Sequence, residues 1–497
     1  MNYQDTLDYL YNSAPLFQQV GADAYKEGLE TTRLLDEHFG HPHRNFHTIH
    51  VAGTNGKGSC SHTLAAIIQR AGYRVGLYTS PHLVDFRERI RVNGEPVPEQ
   101  YVIDFVERER AFFEPLHPSF FELTTAMAFH YFRDEKVDVA VVEVGLGGRL
   151  DCTNIIRPDL AIITNISLDH TQFLGHTLAE IAKEKAGIIK AGVPVVIGES
   201  TPETKEVFER KAQEVGAPIF FAQEPFSEGI EQTYDRLESK GEPLSGDAQT
   251  CGDDSERSGR LKELEGELKE ETGEQLHVGF HVDRLENREK TLMEIISKRH
   301  IAEFQKEMTE HPVEYELKGL YQEKNRQTIL TALPLLLERG YKLTPAHIRE
   351  GFAQVVELTG LQGRWQQLQE NPRMICDTGH NVGGIAYIAE QLKQEHYNTL
   401  RIVIGMVNDK DIRGVLALLP KEAVYYFTQA SVKRAMPAEE FARMAEEAGL
   451  RGEHYPDVVT AVREAQKESL PEDLIFVGGS SFIVADLLAN RDALNLH

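Results

Sequence analysis

The stretch His50-Val51-Ala52-Gly53-Thr54-Asn55-Gly56-Lys57-Gly58-Ser59 decides the reading of this chain. A β-rich run (47–51) enters it and a helix-like run (59–71) leaves it. Glycines let the backbone curl so that successive N–H groups point inward at phosphate oxygens. The following helix N-terminus adds a positive dipole, and Lys57 reaches the terminal phosphates. The common nucleotide loop has Gly six residues before the Lys and a hydroxyl directly after it. Here Val51 and Gly58 stand at those positions, so the loop alone leaves open a plain glycine-rich strand-to-helix turn.

Further runs rich in Val, Ile and Ala occur at 74–79, 137–145, 160–165 and 193–198, alternating with helix-like segments such as 178–190. Such runs are buried on both faces, as in a parallel sheet covered by helices. The alternation restarts at 373–376, 400–405, 423–428 and 473–477. This predicts an α/β fold in two parts. A phosphate-loop parallel-sheet domain takes 1–356, a junction lies at 356–362, and a smaller Rossmann-like α/β domain takes 362–497. Between 227 and 275 there are fifteen acidic and six basic residues, a net of 6 − 15 = −9, with Tyr234 the only aromatic. That composition buries too little apolar surface to offset its ordering entropy, so an acidic, flexible insert is expected there.

The 497 residues carry 53 Lys or Arg and 78 Asp or Glu, a formal charge of −25. Such a balance argues against nucleic acid or an anionic membrane as the partner. No apolar run approaches the ~18–20 residues of a bilayer span, and residues 1–10 lack the basic and apolar regions of a signal peptide. The cysteines, Cys60, Cys152, Cys251 and Cys376, have no paired spacing. A reducing, cytoplasmic setting is expected, without a disulfide framework or zinc site.

Three more strand ends carry polar chemistry to one sheet edge, where ligands gather in open α/β sheets. They are Thr79-Ser80-Pro81-His82, the glycine-rich turn from Glu143 to Asp151, and Asp169-His170-Thr171. Ser80, Glu143 and His170 would be delivered together. Mg²⁺ prefers oxygen ligands and keeps several waters, so a few such contacts beside a triphosphate suffice. Taken singly, each residue reads more readily as structural than as a ligand. His38, His41, His43, His47 and His50 cross a loop and a buried strand, and no metal site is expected of them. Arg87, Glu88, Arg89 and Arg91 read as a solvated charged face, with an anionic-substrate role as the alternative.

In combination and in order, these motifs resemble the Mur ligase superfamily, and within it the folylpolyglutamate synthase/dihydrofolate synthase family. Further matching segments are 181–188 (IAKEKAGI), Asn325, Gly363-Arg364-Trp365-Gln366, Asp377-Thr378-Gly379-His380-Asn381, 406–411 (MVNDKD) and Gly478-Gly479-Ser480-Ser481. One departure is Thr378-Gly379, where many members have Gly-Ala. The resemblance covers nearly the whole chain outside the acidic insert. It implies that Thr54, Asn55, Gly56, Lys57, Gly58 and Ser59 hold the ATP phosphates, and that Asn325, Arg364 and Asp377 complete the ATP site. It implies Mg²⁺ contacts from Ser80, Glu143 and His170, with Lys185 carbamylated into a further carboxylate-like ligand. The pterin side resembles Phe121, Glu122, Asp151 and Cys152; a core aromatic and a turn-capping Asp are the plain alternatives for Phe121 and Asp151. His380 is expected near the cleft, orienting phosphate or glutamate, or else capping its own turn.

The reaction implied is ATP-dependent addition of L-glutamate to dihydropteroate, to the γ-carboxylate of reduced folate polyglutamates, or to both. A monofunctional folylpolyglutamate synthase is the alternative. A muropeptide ligase is disfavoured, since such enzymes carry a separate N-terminal domain and only about 50 residues precede this loop. A monomer is expected.

Overall fold

The computed structural model describes residues 1–13, 28–224, 285–310 and 313–496. The acidic 227–275 segment lies outside them, as does Cys251.

Two sheets organise the chain. The first contains β1 (His47–Ala52), β2 (Val75–Tyr78), β3 (Ile90–Val92), β4 (Glu95–Pro96), β5 (Val139–Glu143), β6 (Leu160–Ile163), β7 (Val195–Ile197) and β8 (Ile219–Phe221), in the order β4-β3-β2-β5-β1-β6-β7-β8. Strands β2, β5, β1, β6, β7 and β8 run parallel, while β3 and β4 fold back antiparallel on the β2 edge. The second sheet orders β13-β12-β11-β14-β10-β9, from β9 (Gln366–Glu370), β10 (Arg373–Cys376), β11 (Leu400–Ile404), β12 (Val424–Phe427), β13 (Arg451–His454) and β14 (Leu474–Gly478). Only β9 is antiparallel there.

β-branched residues explain the centre of the first sheet. Ile49, Val51, Val141 and Ile162 are fully buried on adjacent parallel strands, and each such side chain contributes roughly 1.5–3 kcal/mol. The helix Lys57–Arg70 is buried at every position from Ser59 to Ile68, because it runs between this sheet and the helices Tyr321–Glu338 and Pro345–Ala353. With β1 central, the loop after it lies at the carboxyl edge beside the ends of β5 and β6. That edge is where the site assembles.

Several expectations need correction. The charged run at 87–91 is not a solvated face: Arg89 and Arg91 are 3% and 9% exposed, because β3 folds inward as the sheet's antiparallel excursion. The helix-like segment at 178–190 is shorter than its pattern. It ends at Lys185 and passes into a single 3₁₀ turn, Ala186–Ile188, which sets Lys185 at the helix's C-terminal end. The helix Val355–Thr359 occupies part of the expected junction, and residues 360–365 lead from it into β9. Among the described residues no helix is long and apolar enough to cross a membrane.

Candidate active site

Gly56 ends the loop at φ +85, a backbone that L side chains rarely adopt; a Cβ there would also stand 2.3 Å from Asn325 Oδ1. From it the helix beginning at Lys57 springs directly. Lys57 Nζ donates to the carbonyls of Gly53 and Thr54, both at 3.1 Å, and lines the main cavity. Gly58, where the common loop has a hydroxyl, answers a different need. A side chain would stand 3.3 Å from Arg364 Nη2 and 3.7 Å from Glu143 Oε2, so the missing Cβ lets the second domain's guanidinium approach the loop.

Lys185 reaches the same carbonyl from the other side, with Nζ 2.8 Å from Gly53 O. Burial, and then the charge of Lys57, lowers its pKa to about 7. Glu143, at the end of β5, is 3% exposed, and burial pushes its pKa up to about 7 against the pull of Lys57 and Arg364. His170 ends the β6 loop at φ +49, and burial draws it below the usual imidazole range. A neutral ring, a buried carboxylate and the Ser80 hydroxyl are suitable donors for a hard divalent ion. Ser80 and His170 line the main cavity, while Ser80 and Glu143 line a second one adjoining it. Among the described residues no three His, Cys, Asp or Glu form a metal cluster. One hydroxyl, one carboxylate and one imidazole leave room for an ion that keeps waters and phosphate oxygens, as Mg²⁺ does.

The second domain closes the cavity through Asp169. Its carboxylate accepts from His380 Nε2 at 3.3 Å and Asn381 Nδ2 at 3.1 Å, and pairs with Lys410. Against the penalty of burial, these partners and His170 hold Asp169 well below the usual carboxylate range. Asn55 of the loop and Asn381 exchange two amide hydrogen bonds, at 3.2 and 2.9 Å. Thr54 is tied to Ser167, its hydroxyl donating to the carbonyl at 3.2 Å and accepting from the amide at 3.0 Å.

Phe121, Asp151 and Cys152 line the main cavity, as do Lys410 and Arg434 of the second domain. Phe121 stacks on Tyr78 with centroids 5.7 Å apart. Asp151 accepts from the amides of Leu146 and Thr153, at 2.8 and 3.0 Å, so it closes its own loop as well as lining the cavity. Glu122 is corrected: it is the helix partner in a capping box, accepting from the Ser119 amide at 2.7 Å, and is 3% exposed. The Ser-x-x-Glu spacing of Ser119 and Glu122 was the available signal.

Three other expected ATP contacts sit behind the cleft. Ser59 is fully buried, its hydroxyl accepting from Gln322 at 3.1 Å. Asn325 donates to Gln322 at 2.8 Å and packs over Gly56. Asp377 is 2% exposed and accepts from Tyr321 OH and from the amides of Trp365 and Gly379, so it braces the turn that carries Arg364. Asp169, Asn381 and Lys410, by contrast, were given no role, because their meeting depends on how the two domains dock.

The histidine-rich segment scatters. His41 and His43 share Asp36, His38 faces Glu109, His47 faces Asp159, and His50 is buried against Thr153.

Residues 51–239 match the family described as the Mur ligase middle domain, and residues 363–481 the Mur ligase, glutamate ligase domain. The chain is 32% identical over 447 residues to the dihydrofolate synthase/folylpolyglutamate synthase of Escherichia coli (strain K12), across 89% of this chain and 86% of that one. Its structure is similar to that of E. coli FolC in complex with DHPP and ADP, with a TM-score of 0.73 at 28% identity, covering 100% and 99% of the two chains. It is also similar to a bifunctional folylpolyglutamate synthase/dihydrofolate synthase with Mn, AMPPNP and L-glutamate bound, with a TM-score of 0.71 at 28% identity, covering 100% and 98%. The chain belongs to the folylpolyglutamate synthase/dihydrofolate synthase family of Mur ligases.

Proposed function

We propose that this protein joins L-glutamate through an amide bond to a pterin-bearing carboxylate, at the expense of ATP. The acceptor is dihydropteroate, the γ-carboxylate of a reduced folate, or both. The observation that carries this reading is the cleft itself. The nucleotide loop with Lys57 and the aromatic ring of Phe121 line one cavity together with Lys410 and Arg434 of the second domain, and Glu143 and Arg364 line the cavity adjoining it.

In water a carboxylate and an amine do not condense without activation. The acceptor carboxylate attacks the γ-phosphorus of ATP, ADP leaves, and an acyl phosphate forms. The glutamate amine then attacks the acyl carbon, and the tetrahedral intermediate expels phosphate. Lys57, the loop amides and Arg364 face the charge that builds up on phosphoryl oxygens. Ser80, Glu143 and His170 would hold Mg²⁺, which when bound neutralises phosphate charge. Docking of His380, Asn381 and Lys410 onto Asp169 keeps water from the acyl phosphate. Both halves of the cleft come from one chain, which supports a monomer as the working unit.

Lys185 is the residue on which carbamylation is proposed. An amine with a pKa of about 7 is substantially unprotonated at neutral pH. Its lone pair adds to CO₂ and the nitrogen loses a proton, giving a carbamate that faces Lys57. With ¹³C-bicarbonate, a carbamate carbonyl resonance is expected in the wild type and not in Lys185→Ala.

The function is tested by ADP release and product mass, with ATP, glutamate and either dihydropteroate or tetrahydrofolate. Turnover is expected only with acceptor and glutamate together, giving an acceptor heavier by one glutamyl residue. Failure of both acceptors would sink the reading.

A further inference from the structure

We propose that the outer edge of β13 pairs two copies of this chain, antiparallel about a two-fold axis at Gly452. The pairing lies apart from the cleft. Arg451, Gly452 and His454 line a separate groove with the helix Ala438–Glu447, and no residue of β13 lines the main cavity or the one adjoining it. Each copy therefore keeps a whole cleft.

A sheet edge offers unpaired N–H and C=O groups to any other strand, and proteins blunt it with proline, lysine, a bulge or a cover. Of the four edges in the two sheets, three are blunted. β4 contains Pro96. At β8, Phe220 and Phe221 are buried, and the Lys205 ammonium lies 5.1 Å from the centre of the Phe221 ring. β9 shifts register against β10 between Met374 and Ile375. Among the described residues β13 has none of these devices. Its register on β12 is unbroken, and Arg451, Gly452, Glu453 and His454 are all exposed.

Strand geometry fixes which backbone groups face outward. Tyr455 N donates to Phe427 O, at the end of β12, at 2.8 Å. Backbone groups alternate sides along a strand, so those of 451 and 453 also face β12, and Gly452 and His454 turn theirs outward. An antiparallel pairing sets outward residues against each other. Centring it on His454 would put Gly452 against the partner's Pro456, which has no N–H. Centring on Arg451 puts that arginine against the partner's Arg451, and centring on Glu453 puts that carboxylate against the partner's Glu453. Centring on Gly452 sets Arg451 against the partner's Glu453 and Glu453 against the partner's Arg451. These are non-hydrogen-bonded positions, where Cα atoms come within about 4.5 Å and side chains meet most closely. Unlike charges there favour the pairing and like charges oppose it. Charge thus selects one register, and in that register the edge is complementary to itself.

Four residues a side make a contact far smaller than a standard interface, so pairing is expected with a Kd of about 0.1–1 mM. In sedimentation equilibrium, raising the protein to about 1 mM should move the average mass from 56.1 kDa towards twice that value. Arg451→Glu sets like charges opposite each other, and so does Glu453→Arg, so either variant alone should stay at the mass of one chain. Mixed together, the two should pair again, because unlike charges then meet at both positions. An unchanged thermal midpoint and unchanged ADP binding check that each variant folds. A wild type that stays at one chain's mass at every concentration overturns the pairing without any variant. So does growth beyond two chains, since a two-fold contact closes on itself. Single variants that pair as the wild type does, or a mixture that stays unpaired, overturn it as well.

Discussion

At the residue scale, the site stores an electrostatic imbalance that its ligands relieve. Glu143 has an ordinary pKa of 4.5, which burial raises to about 7 in the folded protein. The folded state thus favours the protonated acid, while the unfolded chain ionises above pH 4.5. Stability of the ligand-free protein is full below pH 4.5, is lost as pH rises through 7, and stays reduced above it, by about 3 kcal/mol. Glu143→Gln should therefore be more stable than the wild type in urea melts at pH 8, and the gap should close near pH 4. Mg²⁺ with a nucleotide should stabilise the wild type more than the variant. Equal melts at pH 8 would mean that Glu143 is not a strained carboxylate. Lys57→Ala should lower kcat by about 100-fold or more, as loss of a preorganised cation does, with little change in the thermal midpoint. Wild-type turnover in that variant would remove the loop from the chemistry.

The elements show why some residues were legible in the sequence and others misread. Lys57, Ser80, Glu143 and His170 could be placed from the chain because each follows an apolar strand whose carboxyl end must face the same edge. Glu122 was read as a ligand because its segment resembles the family's pterin side; its partner Ser119, three residues earlier, marks it as a cap. Glu122→Ala should therefore cost about 1 kcal/mol of stability in denaturant melts and leave the acceptor KM nearly unchanged. A KM rise without loss of stability would restore it as a ligand. The short strands escaped for a different reason. β4 is Glu95-Pro96 and β13 is the fully exposed Arg451–His454, neither with an apolar pattern to read. Edge strands owe their conformation to the neighbour they pair with, which composition does not display. The 3₁₀ turn Phe86–Arg89 runs directly into β3 and brings Arg89 to the cavity lining, where the charge run alone had suggested a solvated face with an anionic-substrate role as the alternative.

For the whole molecule, one amide joins the nucleotide loop and the loop after β6 to the second domain. Asn381 Oδ1 accepts from Gly384 N at 2.8 Å, capping the helix Val382–Gln394, and from Asn55 Nδ2 at 3.2 Å. Its Nδ2 donates to Asn55 Oδ1 at 2.9 Å and to Asp169 Oδ2 at 3.1 Å. One of these four bonds supports a helix, and three hold the domains together. Each net bond is worth about 1 kcal/mol, so these three bonds of Asn381 add about 3 kcal/mol, or more than 100-fold, to the docked state. Two variants separate the roles. Asn381→Ser keeps a capping hydroxyl and gives up the amide exchange, whereas Asn381→Ala gives up both. Both should lower kcat by tenfold or more and enlarge the radius of gyration in small-angle scattering with ADP bound. Only the alanine variant should lose the further ~1 kcal/mol of the cap. Because the serine variant retains its helix, a fall in its turnover reports docking alone. If it instead turns over like the wild type and stays equally compact, the domains are held by other contacts, with Asp169 and Lys410 the next pair to separate.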